Sequence, residues 1–207
     1  MATGLRERRK QEARKAISAA AMGLFEAHGF DAVTISQVAD AAGVSKMTVT
    51  NYFQRKEDLV FDRAEVIIAS LAGAAAARAP GESLLAAVRR DYAARIDAGD
   101  VTLGVPTVAF ARLVRGSHVL ASRGREIADQ AEQALGDVIA AGAGAGDLLP
   151  RVVAAQLASV YRVLFEEGSR RILAGQPRDE VRQVLAIAAR GAFDLLEPSL
   201  GSYGVRN

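Results

Sequence analysis

Four side chains within six residues, Lys46, Met47, Thr50 and Asn51, have the types and spacing to do chemistry on a partner. A lysine offers a point charge to an anion. An asparagine amide both donates and accepts, as a base edge requires, and Thr and Met add small apolar contacts. On a helix all four lie away from Val49 and Phe53, so they share one solvated face. Such a face can meet base edges and phosphates. Ser45, just before them, is a helix N-cap, and the helix start it marks leaves backbone N–H groups free for a phosphate. Other chemistry is not indicated. The chain has no cysteine, and its two histidines, His28 and His118, are far apart and outside any ligand spacing, so no metal site is expected. There is no Gly-rich phosphate loop and no Gly-x-Ser-x-Gly elbow, so neither an enzyme nor a cofactor is expected.

The local elements that must position this face are legible. Ala13, Ile17, Ala20, Ala21, Leu24 and Phe25 form the apolar stripe of a helix from about Arg6 to His28, and Gly29 stops it. Thr34-Ile35-Ser36-Gln37 has the pattern of a capping box, with Ile35, Val38 and Ala39 facing inward. Gly43 ends that helix, Val44 packs inward, and Ser45 caps a third helix from Lys46 to about Tyr52. Two short helices joined by a short Gly-containing turn fit a helix-turn-helix. They fit equally an ordinary helical hairpin with a polar outer face.

The remainder reads as all-α. Helices are predicted over Lys56–Arg78, Ser83–Ala98, Thr107–Arg115, Ser122–Ala141, Asp147–Gly175 and Arg178–Glu197, the last stopping at Pro198. Gly142–Gly146 is a small-residue loop. Half of the 207 residues are hydrophobic and 24% are charged, ordinary globular proportions. The longest nearly apolar stretch, Val66–Ala77, falls short of the ~20 residues of a membrane span, and no secretory signal is seen, so a soluble cytoplasmic protein is expected. Net charge is only +2. The basic residues Arg6, Arg8, Arg9, Lys10, Arg14 and Lys15 nevertheless gather at one end against Glu7 and Glu12. That is a footprint for phosphate or a solvated tail.

From Ile17 to Val60 the chain resembles the tetracycline-repressor (TetR) family. The resemblance is carried by Ala20-Ala21, Leu24-Phe25, Gly29-Phe30, Thr34-Ile35, Val38-Ala39, Ala42-Gly43-Val44-Ser45, Tyr52-Phe53 and Lys56-Glu57-Asp58-Leu59 in that order. It implies about nine helices: a helix-turn-helix DNA-binding domain over residues 1–55, and a ligand-binding and dimerisation bundle over 56–207. The implied activity is that of a homodimeric regulator, most often a repressor released by a small-molecule effector, on a palindromic double-stranded operator. Carried over by position, Thr34, Thr48, Tyr52 and Lys56 are phosphate contacts, and Lys46, Met47, Thr50 and Asn51 face the groove. Thr50 departs from the family, which usually has an aromatic there, so no known operator transfers. The resemblance puts dimerisation on about 151–173 and 178–196. Both segments are apolar over more than one face, which an intramolecular core or a second subunit would satisfy. Effector contacts would come from Tyr92, Phe110, Leu113, His118, Tyr161 and Phe165, residues that equally suit a plain core. Arg162 and Glu166, four apart, are expected to pair with each other. The competing reading is a helical small-molecule-binding protein or interaction module without DNA binding.

Overall fold

The computed structural model describes residues 2–141 and 146–206, with side chains from Arg8 onward; the loop expected at Gly142 therefore lies, up to Ala145, outside the described residues. Among these residues the chain is all-helical: α1 (Ala2–His28), α2 (Ile35–Ala42), α3 (Lys46–Tyr52), α4 (Ala64–Ala76), α5 (Leu84–Asp97), α6 (Val108–Gly116), α7 (His118–Ala140), α8 (Leu149–Leu173) and α9 (Arg178–Leu200). The helices form two compact units. One holds the chain up to Ala64 together with Arg112–Gly124, and the other holds Glu65–Ala111 and the chain from Arg125 on.

In the first unit, Ile17, Ala21 and Phe25 of α1 are buried with Val38, Ala39, Val49 and Phe53. The rings of Phe25 and Phe30 lie 5.1 Å apart. Short helices such as α2 and α3 are marginal by themselves, so their ends matter. Thr34 and Gln37 form the expected reciprocal cap. Gly43 takes φ 67°, and the Val44 N–H reaches back to the Ala39 carbonyl at 3.0 Å. A β-carbon would make that left-handed turn costly, which is why the helix ends here. Ser45 caps α3 through the Thr48 N–H at 3.0 Å. Caps of this kind are worth about 1 kcal/mol each.

Three expected boundaries are corrected. Lys56–Arg78 is not one helix: a 3-10 turn over Lys56–Leu59 precedes α4, which starts only at Ala64. Leu59, Val60 and Phe61 are all buried, and three consecutive residues cannot share one face of an α-helix. The chain bends there, and Phe61 packs against the Cβ position of Gly124 at 3.6 Å. At the C-terminal end α9 runs through Pro198 to Leu200. The proline removes a single hydrogen bond in the last turn, while Leu200 is buried and Gly201 still bonds Glu197 at 2.9 Å. Finally, α7 begins at His118 rather than Ser122, with the buried Ser117 before it.

In the second unit α5 and α9 pack together, as do α8 and α9, around a core that includes Leu85, Val88, Tyr92, Leu157, Leu164, Leu185 and Phe193. The chain after α5 is fastened by Arg95, which donates to Asp100 at 2.9 Å and Thr102 at 2.9 Å and pairs with Asp91 at 3.4 Å. Gly104, at φ 103°, then passes so close to α8 that a β-carbon on Gly168 would overlap its carbonyl. Only glycines allow that approach.

Candidate nucleic-acid interface

α3 turns one face into the first unit and the other out. Val49 is fully buried, while Lys46, Met47, Thr50 and Asn51 are exposed, Met47 at 72%. A methionine that open leaves most of its apolar surface in water. Thr50 adds less than its exposure suggests, because its hydroxyl donates back to the carbonyls of Met47 at 3.0 Å and Lys46 at 3.3 Å. It therefore presents mainly a methyl group. At the helix start Ser45 is exposed and Thr48 half-buried, their hydroxyls 2.8 Å apart. Tyr52 is half-buried at the helix end. Thr34 is exposed at the start of α2, its hydroxyl 2.9 Å from the Gln37 side-chain oxygen.

Lys56 is placed differently from a free cation. Its ammonium lies 4.4 Å over the Phe30 ring and 5.8 Å from that of Phe25, and it donates to the Asp31 carbonyl at 3.4 Å. The nitrogen is held at one spot, and such an interaction contributes about 0.5–2 kcal/mol.

Two further residues build this surface and carry no local signature. Arg14 of α1 donates to the Tyr52 carbonyl at 2.8 Å and to the Asp62 carbonyl at 3.5 Å, and stacks on Phe53 at 4.5 Å. It thereby supplies the donor that the end of α3 lacks. Arg123 pairs with Asp58 at 2.9 Å, both side chains largely shielded from water. Arg14 stood out in the sequence only as one of a basic group, and Asp58 only as part of the family pattern.

Residues 17–62 match the family described as bacterial regulatory proteins, tetR family. That segment carries the family's N-terminal DNA-binding domain. Along 205 residues it is 28% identical to the HTH-type transcriptional regulator TcmR of Streptomyces glaucescens, covering 95% of this chain and 88% of that one. The fold recurs in a TetR-family regulator of Streptomyces coelicolor A3 (22% identity, TM-score 0.50, 89% and 96% of the two chains). It recurs also in FadR of Bacillus subtilis, solved in complex with stearoyl-CoA (17% identity, TM-score 0.50, 88% and 96%). Residues 17–62 thus form a TetR-type helix-turn-helix DNA-binding domain, and these relatives are transcriptional regulators.

The expected effector residues are dispersed. Tyr92 is buried and meets Tyr161 edge-on at 5.1 Å and Phe193 at 5.9 Å. Burial pushes the phenols of Tyr92 and Tyr161 well above their ordinary range. The Tyr161 hydroxyl is buried without a hydrogen-bond partner among the described residues. Phe110 and Phe165 are half-buried in the same unit. Leu113, half-buried, and His118, exposed, belong to the first unit. An open groove of about 570 Å³ lies between α4 and α5, with Val66, Ala69 and Gly73 on one wall and Arg90, Asp91 and Arg95 on the other. The sequence pointed to none of these. Arg162 and Glu166 do pair, at 3.4 Å. Among the described residues no cluster of His, Asp or Glu could hold a metal ion, and no helix is long and apolar enough to cross a membrane.

Proposed function

We propose that this chain is a repressor that acts as a homodimer on a palindromic operator and is released by a small-molecule effector in the cytoplasm. Residues 1–55 carry DNA recognition, and residues 56–207 carry effector binding and dimerisation. The observation that carries this is the outward face of α3, where Lys46, Met47 and Asn51 stand exposed on a helix fastened at both ends by Ser45 and Arg14. In the groove these side chains read bases. Thr34, Ser45, Thr48, Tyr52 and Lys56 hold phosphates and set the register, with Thr50 contributing its methyl group.

Dimerisation is supported by apolar residues left open on α8 and α9. Val152 and Val163 on one helix and Ile187 and Leu195 on the other are half exposed or more, Leu195 at 82%. An apolar row of that extent on two adjacent helices suits a second copy. A dimer sets two copies of α3 about 34–36 Å apart, one helical turn of DNA.

An effector is supported by the α4–α5 groove and by the unsatisfied Tyr161 hydroxyl, with Tyr92, Phe110 and Phe165 in the same unit. Release requires that the effector bind the DNA-incompetent arrangement more tightly than the other. The test combines light scattering with gel shifts on the DNA upstream of the chain's own gene. A mass of two chains and a saturable, competitor-resistant shift are expected. A monomer, or ligand binding with no affinity for duplex, would favour the helical small-molecule carrier instead.

A further inference from the structure

We propose that the first turns of α1 form a second, sequence-blind contact with duplex DNA, in which Arg8, Arg9 and Lys10 take backbone phosphates outside the base pairs read by α3. The proposal rests on α3 being the base-reading element and extends it along the duplex.

Three observations carry it. From Arg8 to Lys15 the helix holds Arg8, Arg9, Lys10, Arg14 and Lys15 against Glu12 alone. Like charges this close repel one another unless a counter-ion joins them. Second, Arg8, Arg9 and Lys10 are exposed and make no ion pair among the described residues. Arg14 is different, since its guanidinium is committed to Tyr52, Asp62 and Phe53. Third, that commitment fixes where the others are. Arg14 is anchored at the last carbonyl of α3, and Lys10, four residues earlier, lies on the same side of α1, about 6 Å further along its axis. Lys10 therefore continues that side of α1 past the end of α3, and Arg9 and Arg8 fan out around the same turn, each on a side chain long enough to reach a neighbouring phosphate. A solvated tail would have no reason to be fastened there.

Side chains without hydrogen-bonded orientation suit phosphates, not base edges. Their signature is salt-dependent affinity without sequence preference.

The experiment uses the full chain and the duplex that it enriches from a random pool. That duplex is prepared at core length and with about ten further base pairs, one helical turn, on each side. The Arg8→Ala/Arg9→Ala/Lys10→Ala variant should bind the long duplex about tenfold more weakly, and its salt slope should fall by about 0.9 for each phosphate lost. It should match the parent on the core duplex, enrich the same motif, and keep the parent's melting temperature. Arg8→Lys/Arg9→Lys should retain most of the long-duplex affinity. Equal losses on both duplexes, an unchanged salt slope or a changed motif would overturn the proposal. So would flotation of the parent, but not the triple variant, with phosphatidylglycerol vesicles while DNA affinity stayed the same. A parent that enriches no motif would overturn the reading of α3 as well.

Discussion

Arg123 and Asp58, 65 residues apart, close on each other at 2.9 Å with about 15% of each side chain exposed. The pair joins the start of α7 to the turn that follows α3, and Phe61 packs beside it under Gly124. Removing either partner takes an opposite charge away from the other in a nearly dry setting. Arg123→Ala or Asp58→Ala should each cost about 1.5–3 kcal/mol in urea unfolding. The double variant should cost clearly less than the two together. Additive losses would show that the pair contributes nothing of its own.

Lys56 and the α3 residues should separate in DNA binding. Lys46→Ala and Asn51→Ala are expected to change which half-sites are preferred, by about 1–3 kcal/mol at the affected base pair. Lys56→Ala should weaken all sites alike and lower the salt slope by about one. Because Lys56 also rests on Phe30, it should additionally cost about 0.5–2 kcal/mol of stability. A gel-shift panel of half-site variants, with melting curves, checks both. A uniform loss from Asn51→Ala would remove it from the base-reading set.

Leu195 and Ile187 are far more open than a folded monomer needs. If a second copy covers them, each contributes about 1.5–3 kcal/mol. Leu195→Asp or Ile187→Asp should then raise the dimer dissociation constant at least about tenfold, with little change in monomer helicity. Sedimentation at several concentrations reads this directly. Unaltered association would place the interface elsewhere.

Tyr92 and Tyr161 should resist ionisation. Burial raises both phenols above the ordinary value of 10.0, so the folded state holds their protons more tightly than the unfolded chain does. Their contribution is complete below pH 10 and is lost as pH rises beyond it. Alkaline titration followed by phenolate absorbance and helicity should show these two ionising only as the helices melt. Tyr161→Phe removes a buried hydroxyl that has no partner among the described residues, and should be neutral or stabilising by up to about 1–3 kcal/mol. Marked destabilisation would reveal a partner for that oxygen.

What was legible in the sequence was local. Thr34 with Gln37, Gly43 and Ser45 mark the ends of α2 and α3 because each cap is made within a few residues, and Val49 and Phe53 mark the inner face by period. What was hidden was made by distant contact. The bend at Phe61 follows from burying three successive apolar residues, and the helix through Pro198 follows from burying Leu200. Arg14 reaches a carbonyl 38 residues away, and nothing in the spacing of charges signals it. The α4–α5 groove was hidden for the same reason, because its walls are ordinary alanines and arginines until two helices face each other.

Selection of random duplexes by the purified full chain, repeated with Asn51→Ala, tests the claim that the outer face of α3 reads sequence. An inverted-repeat motif with half-site centres about 34–36 Å apart is expected, altered at a symmetric pair of positions in the variant. No enrichment at low salt, or the same motif from both proteins, would contradict it.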